Sequence, residues 1–105
     1  MNLEARIIIS EPARLDLIAL GEGYAEISAE LADRILHRLR QKIDLLGQVP
    51  ELGRARPEFS LPGLRSVATK PHVIFYSVPD AGSIIVHRVV DGRRDLAAMF
   101  SSEPF

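Results

Sequence analysis

The stretch Arg88-Val89-Val90-Asp91-Gly92-Arg93-Arg94-Asp95 crowds three arginines around two aspartates at the end of an apolar run. Guanidinium groups at that density could hold a phosphate or stabilise the charge of a phosphodiester transition state. Arg54, Arg56 and Arg65 extend the set upstream. The same residues also read as salt bridges with Glu51, Glu58, Asp91 and Asp95. Acids interleaved with bases neutralise them at short range, which favours this second reading. Of the histidines, His37 falls on the polar side of a helix. His72 and His87 could be diagonal neighbours across a hairpin, where one could serve as an acid–base group. No acid stands at ligand spacing from them, so no metal is expected. A Gly-x-Ser-x-Gly nucleophile motif is absent. Gly21-Glu22-Gly23 lacks the third glycine and the preceding strand of a dinucleotide site. No cofactor is expected.

The elements that must position these groups fit one domain spanning residues 1–105, long enough for a modest core. The formal net charge is -1. From Gln48 onward, seven Lys/Arg stand against six Asp/Glu; before it, six stand against eight. Neither half carries the basic excess of a nucleic-acid footprint, so no direct nucleic-acid binding by the chain alone is expected. Cysteine is absent, which excludes disulfides and thiolate chemistry and fits a cytoplasmic location. No stretch is long enough to span a membrane, and the N-terminal apolar run is too short for a signal peptide.

Leu3 to Ser10 alternates as a strand, with Leu3, Ala5, Ile7 and Ile9 on one face. Ser10-Glu11-Pro12 opens a first helix. Its stripe is Ala13, Leu17, Leu20 and Tyr24, and Gly21 and Gly23 interrupt it, so the helix is expected either to fray near residue 21 or to run weakly to residue 26. Ser28 caps a second helix with the stripe Ala32, Ile35, Leu36, Leu39, Ile43 and Leu46, and with Arg34, Arg38 and Lys42 on the wet side. Gly47 and Pro50 are expected to stop it. Residues 50–63 read as a loop. Strands follow at 64–69, 72–78 and 83–90, the last two joined through a four-residue loop at Pro79–Gly82. That loop pairs Val78 with Ser83, Ile74 with His87 and Phe75 with Val86. A short helix over 94–100 closes the chain. The layout is β-α-α-β-β-β with this helix appended. The fold class is α+β, a helical hairpin on one face of a small sheet that ends in an antiparallel meander. The strand 72–78 is apolar on both faces, Val73 and Phe75 on one and Ile74, Tyr76 and Val78 on the other. The hairpin covers one of them, so the C-terminal segment or a partner chain is expected on the second.

Over nearly its whole length the sequence resembles the ParE toxins of the RelE/ParE toxin–antitoxin superfamily. The resemblance rests on Ile9-Ser10 with Pro12-Ala13 and Asp16-Leu17, and on Pro50-Glu51-Leu52-Gly53-Arg54 with Arg56-Pro57-Glu58. It rests also on Gly63-Leu64-Arg65-Ser66, Ile74-Phe75-Tyr76 and the ending 88–95. It implies the toxin of a type II module of the plasmid-stabilisation kind. Such a toxin inhibits DNA gyrase and replication, and a tight-binding, DNA-binding antitoxin of the ParD kind neutralises it. The alternatives are a ribosome-dependent mRNA endonuclease of the RelE kind and a decayed, non-toxic antitoxin-binding protein. On the gyrase reading the chain is not an enzyme and has no catalytic residues. Arg54, Arg56, Arg93 and Arg94 are then the expected target contacts. Leu17, Leu20, Tyr24, Ile74, Tyr76 and Val78 are the expected antitoxin contacts. The family usually has His at the Asp91 position and aromatic residues where Gly21 and Gly23 stand, which implies a looser first helix here.

Overall fold

The computed structural model describes residues 4–93. Arg94 and the closing helix expected over 94–100 lie outside that range, as does Leu3. The elements are β1 (Arg6–Ile9), α1 (Glu11–Ala25), α2 (Ala29–Gln48), β2 (Arg54–Ala55), β3 (Arg65–Thr69), β4 (His72–Asp80) and β5 (Ser83–Asp91). The strands form one mixed sheet in the order β1-β5-β4-β3-β2. β1 runs parallel to β5, and the other neighbours are antiparallel.

Both helices begin as their sequences dictate. Ser10 is the N-cap of α1, its Oγ accepting from the Ala13 N–H at 3.3 Å. Its own N–H donates to the Val86 carbonyl and its hydroxyl to the His87 carbonyl, so one residue ends the β1 ladder and starts the helix. Ser28 caps α2 through the Leu31 N–H at 2.9 Å. α2 buries Ala32, Ile35, Leu39, Ile43 and Leu46 at the spacing of one helix face. Each of the larger side chains stabilises the fold by roughly 1.5–3 kcal/mol. They meet Ile74, Tyr76, Ile84, Val86 and Val89 from the sheet.

Of the two ends expected for α1, the longer holds, and the helix continues past Gly21 and Gly23 to Ala25. A Cβ at Gly21 would stand 3.1 Å from Leu36 Cδ1, so α1 packs closely against α2 at this glycine. Other expectations are corrected. Gly47 does not stop α2 but lies buried inside its last turn. β1 crosses there, with the Ala5 N–H donating to the Gly47 carbonyl at 2.8 Å. The loop after α2 contains the short strand β2. The β4–β5 hairpin turns through Ala81-Gly82 alone, because Asp80 pairs with Ser83. Irregularities in the ladder then place Ile74 opposite Val89, Phe75 opposite Arg88 and Tyr76 opposite Val86. His72 accordingly faces Asp91, and the two histidines are not diagonal neighbours.

The second face of the sheet is covered by the chain's own β2–β3 loop. Phe59, Leu61 and Leu64 close over Phe75, Val73 and Val90. Phe59 meets Phe75 edge-on with centroids 5.8 Å apart. The Arg56 guanidinium lies 4.9 Å from the Phe59 ring centre and 5.5 Å from that of Phe75. Phe75 is fully buried without any partner chain.

Candidate functional site

The arginines do not converge. Arg88 pairs with Asp16 of α1 through two hydrogen bonds of 2.8 and 3.0 Å. The same carboxylate accepts the Val89 N–H at 2.9 Å. β1 has ended by this level of β5, so Asp16 serves the strand edge that β1 no longer covers. Arg56 is equally committed, with Nε on Glu58 and Nη1 on Ser66 Oγ, both at 2.8 Å. That pairing lowers the Glu58 pKa. Arg65 donates to the backbone carbonyls of Gly53 and Glu51. Arg93 holds Asp91 through side chain and backbone, and these bonds keep the Asp91 carboxyl well below the ordinary carboxylate range. Of the salt bridges expected from sequence, Arg56–Glu58 and Arg93–Asp91 form, while Arg88 chooses Asp16.

Among the expected target contacts, Arg54 and Arg93 are exposed and Arg56 is turned inward. Arg54 sits on β2 and Arg93 follows β5, three strands away in the sheet order. That is about 14 Å at the usual strand spacing. The two therefore belong to separate surfaces.

Burial lowers the pKa of both His72 and His87. His72 is 2% exposed, and its Nε2 shares a hydrogen bond with the Tyr24 hydroxyl at 3.2 Å. Asp91 pulls its pKa up and Arg93 pushes it down, both more weakly than burial does. His87 Nε2 is 2.8 Å from Ser77 Oγ. Among the described residues no group of His, Asp and Glu could hold a metal ion.

The expected antitoxin contacts separate by depth. Ile74 and Tyr76 are fully buried beneath the helices, which removes them from any contact surface. Tyr76 instead braces the loop, donating to the Pro50 carbonyl at 2.8 Å and accepting the Gly53 N–H at 2.7 Å. Leu17, Leu20, Tyr24 and Val78 are half-buried at the core margin.

The surface that sequence reasoning missed lies between α1, α2 and β1. Ile7, Ile9, Leu17, Leu36 and Ile43 line a groove of about 330 Å³, with Arg40 and Asp44 on its rim. β1 is an edge strand, and Ile8 and Ile9 are 37% and 38% exposed. Three consecutive isoleucines carried the signal. A strand covered on one face alternates, whereas Ile7-Ile8-Ile9 does not.

Comparison with known proteins places this geometry. The family model for the ParE toxin of the type II toxin–antitoxin system parDE matches residues 7–96. The chain is similar to Toxin ParE1 of Mycobacterium tuberculosis, with 30% identity over 95 residues, 90% of this chain and 96% of that one. Among solved structures it resembles a chain of the chromosomal ParDE system from P. aeruginosa. There the TM-score is 0.71 and the identity 22%, covering 86% of this chain and 98% of that one. It also resembles a chain of the toxin–antitoxin complex RelBE2 from Mycobacterium tuberculosis. That match has a TM-score of 0.63 and 21% identity, covering 84% of this chain and 98% of the other.

Proposed function

The chain belongs to the ParE toxin family of type II toxin–antitoxin systems, and on that premise we propose that it arrests replication by binding DNA gyrase and is neutralised by a DNA-binding antitoxin of the ParD kind. The family match across residues 7–96 carries this reading. The site geometry agrees with a protein that acts by contact. Arg88, Arg56 and Arg65 hold the fold together, His72 is packed inside it and His87 is half-buried with its Nε2 on Ser77. What remains for partners is an apolar groove beside an open strand edge and the outward-facing Arg54 and Arg93.

The antitoxin, on this reading, lays an apolar segment into the groove of Ile7, Ile9, Leu17, Leu36 and Ile43. Burial there contributes about 25 cal/mol per Å² before ordering costs. Gyrase meets the Arg93–Arg94 ending, since arginine pairs with carboxylates and phosphates in fixed geometry. The encounter takes place in the cytoplasm. No helix among the described residues is long and apolar enough to cross a membrane. An mRNA endonuclease of the RelE kind is the second reading, favoured by the fold shared with the RelBE2 complex. The inward commitment of Arg88 weighs against it.

Induced expression with parallel assays of purified gyrase tests the proposal. Wild-type protein is expected to stop growth and to accumulate linear DNA. Arg93→Glu with Arg94→Glu abolishes both and leaves antitoxin capture intact. Ile9→Glu does the reverse, releasing the antitoxin while toxicity persists. Growth arrest with cleavage of translated mRNA and no linear DNA selects the endonuclease. No growth arrest at all selects a decayed toxin.

A further inference from the structure

The groove between α1, α2 and β1 has an apolar floor and two charged residues at its mouth. Arg40 and Asp44 both stand on the α2 wall, exposed, at i and i+4. That places them about 6 Å apart along the helix axis. Opposite charges at this spacing commonly pair across one turn, best when the acid comes first. In α1 the acid does come first, and Glu11 pairs with Arg14 at 2.6 Å. In α2 the base comes first, and among the described residues neither Arg40 nor Asp44 has an ion-pair or hydrogen-bond partner. Folding therefore leaves one cation and one anion uncommitted beside the apolar floor, in a fixed order along the helix.

Resting on the reading that an antitoxin segment fills this groove, we propose that Arg40 and Asp44 determine which segment it accepts. The occupant is an apolar stretch of the antitoxin that carries a carboxylate and, about 6 Å further along, a cation. The carboxylate meets Arg40 and the cation meets Asp44. Rim charges of this kind contribute modestly to affinity, because water and salt still reach them. Their effect is on selection. A segment with two acids brings like charge against Asp44, and one with two bases brings it against Arg40. The ordered pair also fixes the direction in which a given segment lies, since turning it end for end sets like against like. The apolar floor cannot supply this, because burial is non-directional. A phosphate ribbon fits neither part of the groove: it offers nothing to the isoleucines of the floor, and Asp44 repels it. A lipid chain would fill the floor and ignore the rim.

The test uses the full chain and four synthetic peptides of about 16 residues, roughly four helical turns, with one shared apolar ridge. Beside the ridge, two positions four residues apart carry Glu and Lys, Glu and Glu, Lys and Lys, or Gln and Gln. Wild-type protein is expected to bind the Glu/Lys peptide about tenfold more tightly than the Gln/Gln peptide, since two exposed pairs at the usual strength sum to that factor. Arg40→Glu is expected to shift the preference to Lys/Lys, and Asp44→Lys to Glu/Glu. Arg40→Gln/Asp44→Asn removes the preference, and it serves if circular dichroism shows that a reversal disturbs the fold. Preferences are compared as ratios between protein variants, so differences in peptide helicity cancel. They are expected to vanish in about 1 M salt while binding to the floor persists. Ile9→Glu marks the groove and is expected to abolish binding of all four peptides. Peptides that bind wild type alike, yet are lost in Ile9→Glu, overturn the selection by charge and leave the groove reading standing. Binding untouched by Ile9→Glu, or no binding at all, overturns both. A wild-type dimer that Ile9→Glu makes monomeric overturns the antitoxin as occupant.

Discussion

Asp16→Ala is the substitution with the most to reveal. The carboxylate receives two bonds from Arg88 and one from the Val89 N–H. The side chains are 15% and 12% exposed. Removing one partner of a fully buried ion pair costs about 3–5 kcal/mol, because the other charge is stranded. An exposed pair is worth only about 0.2–1 kcal/mol. Exposure near one-seventh places this pair close to the lower end of the buried range, and the orphaned N–H adds to it. The expected loss is about 3 kcal/mol. With a urea slope of about 1.5 kcal/mol/M, the unfolding midpoint falls by roughly 2 M. The melting temperature falls by about 12 °C for a chain of this length. Asp16→Asn keeps an acceptor for Val89 and loses the charge, so it stands between the two. A double-mutant cycle with Arg88→Ala isolates the pair. If Asp16→Ala lies within about 0.5 kcal/mol of wild type, or if the two single losses simply add, then Asp16 is not the tether described.

The remaining predictions concern the loop brace and acid stability. Tyr76→Phe leaves the Pro50 carbonyl and the Gly53 N–H without their buried partner. It is expected to cost about 2 kcal/mol in urea unfolding, and an unchanged midpoint counts against the brace. Gly53→Ala places a Cβ 2.5 Å from the Ser66 carbonyl and 2.8 Å from the Tyr76 ring, and about 1–3 kcal/mol is expected from overpacking. The third prediction follows from the lowered pKa of His72 and His87, for which burial favours the neutral imidazole in the fold. The unfolded chain therefore takes up protons first as pH falls through about 6.5. This stability is fully present above that pH and is lost as pH falls toward the folded values. Urea midpoints from pH 8 to 5.5 are expected to decline in wild type and to flatten in His72→Gln/His87→Gln. A flat wild-type profile refutes the assignment.

Local chemistry was legible in the sequence wherever a single segment determined it. Ser10 and Ser28 announced their caps, the stripe of α2 announced its buried face, and the apolar runs announced β3 to β5. What needed two distant segments was not legible. β1 pairs with β5 across most of the chain, and periodicity carries no information about a partner. Gly47 read as a stop because its neighbour, the β1 backbone, is invisible from within α2. The second face of β4 demanded a cover, and the sequence offered no means to see that Phe59, Leu61 and Leu64 would fold back over it. The site suffered most from the same cause. The apolarity of their strand marks Ile74 and Tyr76 as contact residues, but depth is a property of the whole sheet. Asp16 was named only as part of a motif, and its partner Arg88 lies 72 residues away.

The opening arginine stretch divides along the strand that carries it. Arg88 turns to α1 and is consumed by the fold. Arg93 lies past the strand end, its side chain 81% exposed, yet it is not loose. Asp91 accepts both its N–H and its guanidinium, which sets the direction in which the chain leaves β5. The family resemblance implies histidine at this position. A neutral imidazole could accept one of these bonds and a protonated one none, so an arginine two residues on would lose its bidentate anchor. The carboxylate here fixes Arg93 at every pH above the acid range and lies opposite His72, which is bonded to Tyr24 of α1. The end of β5, the start of β4 and the last turns of α1 are thereby joined. In this geometry the acid at position 91 acts as a positioning group for the outward arginine.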